Sequence, residues 1–145
     1  MSYGLLLGIH LFAAIFFVGT VFFEVLILEN VRKHVPSDAM RAVERGIGRV
    51  ARKVMPWVIL TLFGAGFGLA YTHRAALLNP FAGSFSLMLS LKILLALSVL
   101  GHFLTAMYLM HSGKMRASTS KRIHISVFVH VVLIVLLAKA MLYWG

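Results

Sequence analysis

Residues 85–110 read FSLMLSLKILLALSVLGHFLTAMYLM, an apolar run interrupted by one lysine, Lys92, and one histidine, His102. A helix rises about 1.5 Å per residue, so this run is longer than the ~30 Å hydrocarbon core of a bilayer. Three further stretches share the pattern, at Tyr3–Leu28, Val54–Thr72 and Ile123–Tyr143. Of 145 residues, 61% are hydrophobic and 12% charged, too few polar side chains to cover a water-soluble globule. Disorder is excluded by the same totals, and a disulfide scaffold by the absence of cysteine. The fold class is therefore all-α: an integral membrane up-down bundle of four transmembrane helices, with residues 1–145 as a single domain.

Short connections make consecutive helices antiparallel neighbours. The first apolar run lacks a basic leader and is too long for a cleaved signal peptide, so it reads as helix 1. Basic residues set the orientation. The first connection carries Arg32, Lys33, Arg41, Arg45, Arg49, Arg52 and Lys53, and the third carries Lys114, Arg116, Lys121 and Arg122. The second holds only Arg74, which places both termini outside, periplasmic in a bacterial inner membrane. The net charge of +10 thus addresses lipid head groups and not nucleic acid.

Within the first connection, Pro36-Ser37-Asp38 starts a helix in which Met40, Val43, Ile47, Val50 and Val54 recur at helical spacing. Arg41, Arg45 and Arg49 line another face. This predicts an amphipathic cytoplasmic helix before helix 2, with Pro56 as the bend. Its arginines suit anionic lipid or the propionates of a porphyrin.

Ionisable groups inside a membrane are costly and need a partner or a function. His10, Lys92, His102 and His130 lie at such depths, while Glu24 and Lys139 sit nearer helix ends. His102 lies about 7 Å to the cytoplasmic side of its helix midpoint and His130 at a similar level, with His10 and Lys92 on an outer tier. Two histidines at one depth on two helices match the axial ligands of a six-coordinate haem b. Gly64, Gly66, Gly68 and Gly101 would leave room for a flat ligand, or else pack helices closely. An interhelical hydrogen bond between His102 and His130 is the plain alternative. Copper is the competing ligand, because Met107, Met110, His111 and Met115 combine thioethers and imidazole. His73 could approach His10, whereas His34 and His124 read as boundary residues. Paired carboxylates, a nucleophile elbow, a zinc motif and a phosphate-binding glycine loop are all missing from the sequence. Gly4 and Gly8 form a small-xxx-small pair that could face a second protomer.

These residues resemble the HemJ-like protoporphyrinogen oxidases and the CopD-like copper-resistance membrane proteins. Gly8-Ile9-His10-Leu11 through Phe17-Val18-Gly19 is similar to the family's opening helix. Arg45-Gly-Ile-Gly-Arg49 leading to Met55-Pro56, Leu91-Lys92-Ile93 before His102, and the late Lys139 resemble its other signatures. The chain departs at the start of helix 4, where Arg122-Ile-His124-Ile-Ser126 replaces the HemJ-like Asn-Glu-x-Pro, and His130 is added.

The resemblance implies a membrane b-type haem protein with an electron-transfer or oxidoreductase role, passing electrons from a porphyrinogen to a carrier such as quinone. Its alternative implication is CopD-like copper transport or resistance. By position it carries over His10, Lys92, His102 and Lys139, with Arg45 and Arg49 facing an anionic substrate. His130 rests on depth alone, and His10, His102 and His130 are the metal-ligand candidates. A third reading is the membrane anchor subunit of a redox complex, held to a larger partner.

Overall fold

The structure is a computed structural model that describes residues 2–144. Helix α1 runs over Tyr3–Val31, and the Ser2 side chain caps it by accepting the Leu5 N–H. Over Phe23–Leu28 the helix widens to π geometry, and the Glu29 N–H reaches back five residues to the Glu24 carbonyl. Such a turn shifts the face that the following residues present.

Helix α2, Ser37–Thr72, joins the amphipathic segment and the second apolar run into one continuous element containing Pro56. Asp38 lies in its first turn, where negative charge is favoured. Arg32, just beyond α1, bonds Glu29 at 3.2 Å and also pairs with Glu44 on α2. The loop is thereby tied to the amphipathic half of that helix.

The short helix α3, Arg74–Leu78, precedes α4, Ser84–His111, and α5, Ala117–Trp144. Between the last two, Gly113 takes a φ of 68°, a left-handed conformation that admits the tight reversal. There the N–H groups of Lys114 and Met115 both return to the Leu109 carbonyl.

Four helices are long and apolar enough to cross a membrane: α1, α2, α4 and α5. Their large apolar side chains face outward. Phe12 is 78% exposed, Leu60 64% and Leu94 65%, an arrangement that water would penalise and lipid tails accept. The chain is an integral membrane protein, all-α, with the four apolar helices that the sequence predicts.

By contacts the chain divides into two compact units, one ending at Phe67 and the other beginning at Gly68. In the first, Ala13, Phe17, Val21, Met40, Ile59 and Ala65 are buried. In the second, α4 and α5 make the most extensive tertiary contact, and Val99, Val127 and Val131 are buried.

Candidate functional site

Four side chains on α4 and α5 interlock where those helices meet. On α4, His102 donates its Nδ1–H to the carbonyl of Ser98 at 2.7 Å, one turn back. On α5, His130 does the same to Ser126, also at 2.7 Å. A carbonyl can only accept, so the proton sits on Nδ1 in both rings, and each neutral imidazole offers Nε2 as its acceptor. Across the seam the Ser126 hydroxyl donates to His102 Nε2 at 3.0 Å, and the Ser98 hydroxyl to His130 Nε2 at 3.1 Å. The rings lie 5.4 Å apart between centroids, tilted by 54°.

The quartet is a closed exchange. Each histidine is oriented by the serine carbonyl on its own helix and occupied by the serine hydroxyl of the other. The antiparallel register, Ser98 opposite His130 and His102 opposite Ser126, makes the two halves equivalent about a local two-fold axis. Sequence reasoning found the histidines through depth matching and missed the serines, whose modest polarity is lost in an apolar run. The signal was present as a repeated pentapeptide: Ser98-Val-Leu-Gly-His102 and Ser126-Val-Phe-Val-His130 share Ser-Val-x-x-His. The contact between the histidines runs through these serines instead of joining the rings directly.

Chemically, the quartet sets up two neutral imidazoles with fixed tautomers, each Nδ1–H bonded to a carbonyl. That is the usual support of a metal-ligating histidine. The two Nε2 lone pairs aim at different oxygens, Ser126 Oγ on α5 and Ser98 Oγ on α4, so both rings would have to turn for one ion to be held between them. Among the described residues no group of three or more His, Cys, Asp or Glu gathers to hold a metal, so the pair offers two ligands and no third of these kinds. Zinc, which takes four, is poorly served. A copper(I) ion accepts two imidazoles in line and is suited by imidazole nitrogen. A haem between the rings would need α4 and α5 to part around the macrocycle, because the rings lie 5.4 Å apart and are bonded across the two helices.

His10 occupies a seat of its own in the first unit. Its Nδ1–H donates to the Leu62 carbonyl of α2 at 2.9 Å, so this ring too carries its proton on Nδ1. The close approach depends on Gly66, since a Cβ there would lie 3.1 Å from His10 Cε1 and 3.2 Å from Nδ1. Gly66 therefore serves helix contact with an imidazole, while a Cβ at Gly64 or Gly101 would meet nothing within 4 Å.

The remaining site residues stand apart from these two places. Arg49 and Arg45 are exposed on α2, and Arg49 precedes Leu62 by 13 residues, about 20 Å of helix, so neither joins the His10 seat. Lys92 is half-buried on α4, ten residues from His102, about 15 Å along the axis. Lys139 is exposed and lies over the Tyr143 ring at 5.0 Å. Met107, Met110 and Met115 are half-buried and His111 exposed near the α4–α5 turn. His73 bonds the Leu69 carbonyl at 3.1 Å and packs on Phe85.

No family model, curated protein or solved structure matches the chain.

Proposed function

We propose that this protein handles copper in the membrane, as a CopD-like transport or resistance protein would, with His102 and His130 as a two-coordinate copper(I) site. The observation that carries the reading is the pair of imidazoles 5.4 Å apart between α4 and α5, both held in the Nδ1–H tautomer by main-chain carbonyls. Neutral nitrogen ligands suit an apolar site because the bound state carries only the single charge of the ion, shared over two rings. Met107 and Met110 lie on the same helix beyond His102, within about 12 Å of it, and offer soft thioethers toward one end. On the basic count we take that end as the cytoplasmic one in a bacterial inner membrane, with both termini periplasmic.

The test is metal content. The protein, purified in detergent and loaded with copper(I), is expected to retain one ion per chain, and His102→Ala and His130→Ala each to lose it. Retention unchanged in both variants would overturn the reading.

A second reading, b-type haem with an electron-transfer role, draws on His10. Its carbonyl-bonded Nδ1 is the support an axial imidazole takes. Haem bound through His10 would give a Soret band that His10→Ala removes and His102→Ala leaves intact.

A further inference from the structure

Charge is unevenly distributed along the chain. Its four acidic side chains, Glu24, Glu29, Asp38 and Glu44, all fall in the first unit. Gly68–Gly145 carries Arg74, Lys92, Lys114, Arg116, Lys121, Arg122 and Lys139 and no acidic side chain, so no Asp or Glu of its own unit balances them. Lys114, Arg116, Lys121 and Arg122 crowd the α4–α5 turn, all of them exposed.

Beside the reversal at Gly113 lies an open cavity of about 570 Å³, lined by Leu109, Gly113, Lys114, Met115, Arg116 and Thr119. That is the size of a small-ligand site. Its lining is of two kinds. Leu109 and Met115, both half-buried, supply apolar surface, whereas Lys114, Arg116 and Thr119 supply donors. The helices fix its level. Leu109 is next to last in the apolar run of α4, and Thr119 stands four residues, about 6 Å, ahead of the apolar run that opens at Ile123 on α5. Head groups extend about 5 to 7 Å beyond the hydrocarbon on each face, so the donors stand at phosphate depth and Leu109 at the start of the acyl chains.

We infer that this cavity binds the phosphate of an anionic phospholipid, one molecule per chain, with its acyl chains descending beside α4 and α5. A phosphodiester presents two charged oxygens to the guanidinium fork of Arg116. Lys114 adds a point charge and Thr119 a hydroxyl donor. Leu104 and Tyr108 on α4 and Ile125 on α5 are exposed apolar side chains that the acyl chains can cover. A free phosphate would meet the donors but leave the apolar lining bare, whereas a phospholipid satisfies both.

Such a site differs from general attraction to an anionic membrane, because the position of a charge matters as well as its sign. A basic residue at a lipid surface is worth about fivefold in affinity. Lys114→Gln and Arg116→Gln are each expected to weaken binding by about that factor, and together by about 25-fold. Lys121→Gln with Arg122→Gln removes the same charge outside the lining and should leave binding near wild type. All four side chains are exposed, so neither double variant disturbs the packing of the helices.

The full-length protein in neutral detergent would be titrated with phosphatidylglycerol, with phosphatidylcholine as the zwitterionic control, and the bound lipid counted by native mass spectrometry. The site predicts one phosphatidylglycerol per chain, lost in the Lys114→Gln, Arg116→Gln protein, kept in the Lys121→Gln, Arg122→Gln protein and not displaced by inorganic phosphate. Equal loss in both double variants, equal binding of the two lipids, or binding indifferent to Lys114 and Arg116 overturns it. Displacement by inorganic phosphate at matching concentration assigns the cavity to the free ion and overturns the lipid.

Discussion

His102 and His130 lie 5.4 Å apart between ring centroids, yet each is bonded to the serine that precedes the other by one helical turn. The arrangement satisfies every polar atom of the quartet with partners from α4 and α5 alone. It therefore fixes the register of those two helices as well as the direction of both imidazoles.

That register should be measurable as coupling. In membranes an interhelical side-chain hydrogen bond contributes about 0.6 kcal/mol on average and about 1.7 kcal/mol at most. A double-mutant cycle between His102→Ala and Ser126→Ala, followed by unfolding in mixed micelles, should return a coupling of that size. The cycle between His130→Ala and Ser98→Ala should match it. A coupling near zero in both would mean that the cross-helix bonds do not hold the register.

Gly66 and Gly64 give a contrast on one helix. Helix propensity alone favours alanine over glycine by about 1 kcal/mol, and Gly64→Ala, with nothing within 4 Å, should be neutral or mildly stabilising. Gly66→Ala puts a methyl against the His10 ring and should destabilise by about 1 to 3 kcal/mol. In a His10→Ala background that penalty should vanish, which thermal unfolding of the four proteins would show.

How far the molecule was legible from its residues differs between these places. The four spans followed from apolar length, because a bilayer leaves the backbone few choices. The start at Ser37 followed too, from Pro36-Ser37-Asp38 ahead of the amphipathic stretch, and α4 matches its apolar run to within a residue at each end. The start of α5 did not: helical bonding begins at Ala117, six residues before the apolar run at Ile123. The π turn at Phe23–Leu28 falls in a stretch whose side chains carry no periodic polar mark. His102 and His130 were found because charge-capable groups are rare at that depth. Ser98 and Ser126 were not, because a hydroxyl in a membrane helix usually satisfies itself on its own backbone, and only the pairing of two pentapeptides sets these apart.

The exposed arginines make a separate prediction. Arg45 and Arg49 lie on the basic face of α2, where attraction to anionic lipid is worth about 1 kcal/mol per residue. Arg45→Gln with Arg49→Gln should reduce the anionic phospholipid that co-purifies, read by mass spectrometry, and should do so less at high salt. Retained lipid identical to wild type would remove that role.

The ion pair of Arg32 with Glu44 should matter little to stability by contrast. Both groups are partly exposed, so Glu44→Gln is expected to cost under about 1 kcal/mol. A larger loss on thermal unfolding would show that the loop after α1 depends on this link.

The central claim is tested most directly by X-ray absorption at the copper edge on copper(I)-loaded protein. The expected spectrum is that of two nitrogen neighbours at about 2 Å with imidazole scattering and no sulfur, lost on His102→Ala and on His130→Ala. A copper signal dominated by sulfur, or one that survives both substitutions, would contradict the site.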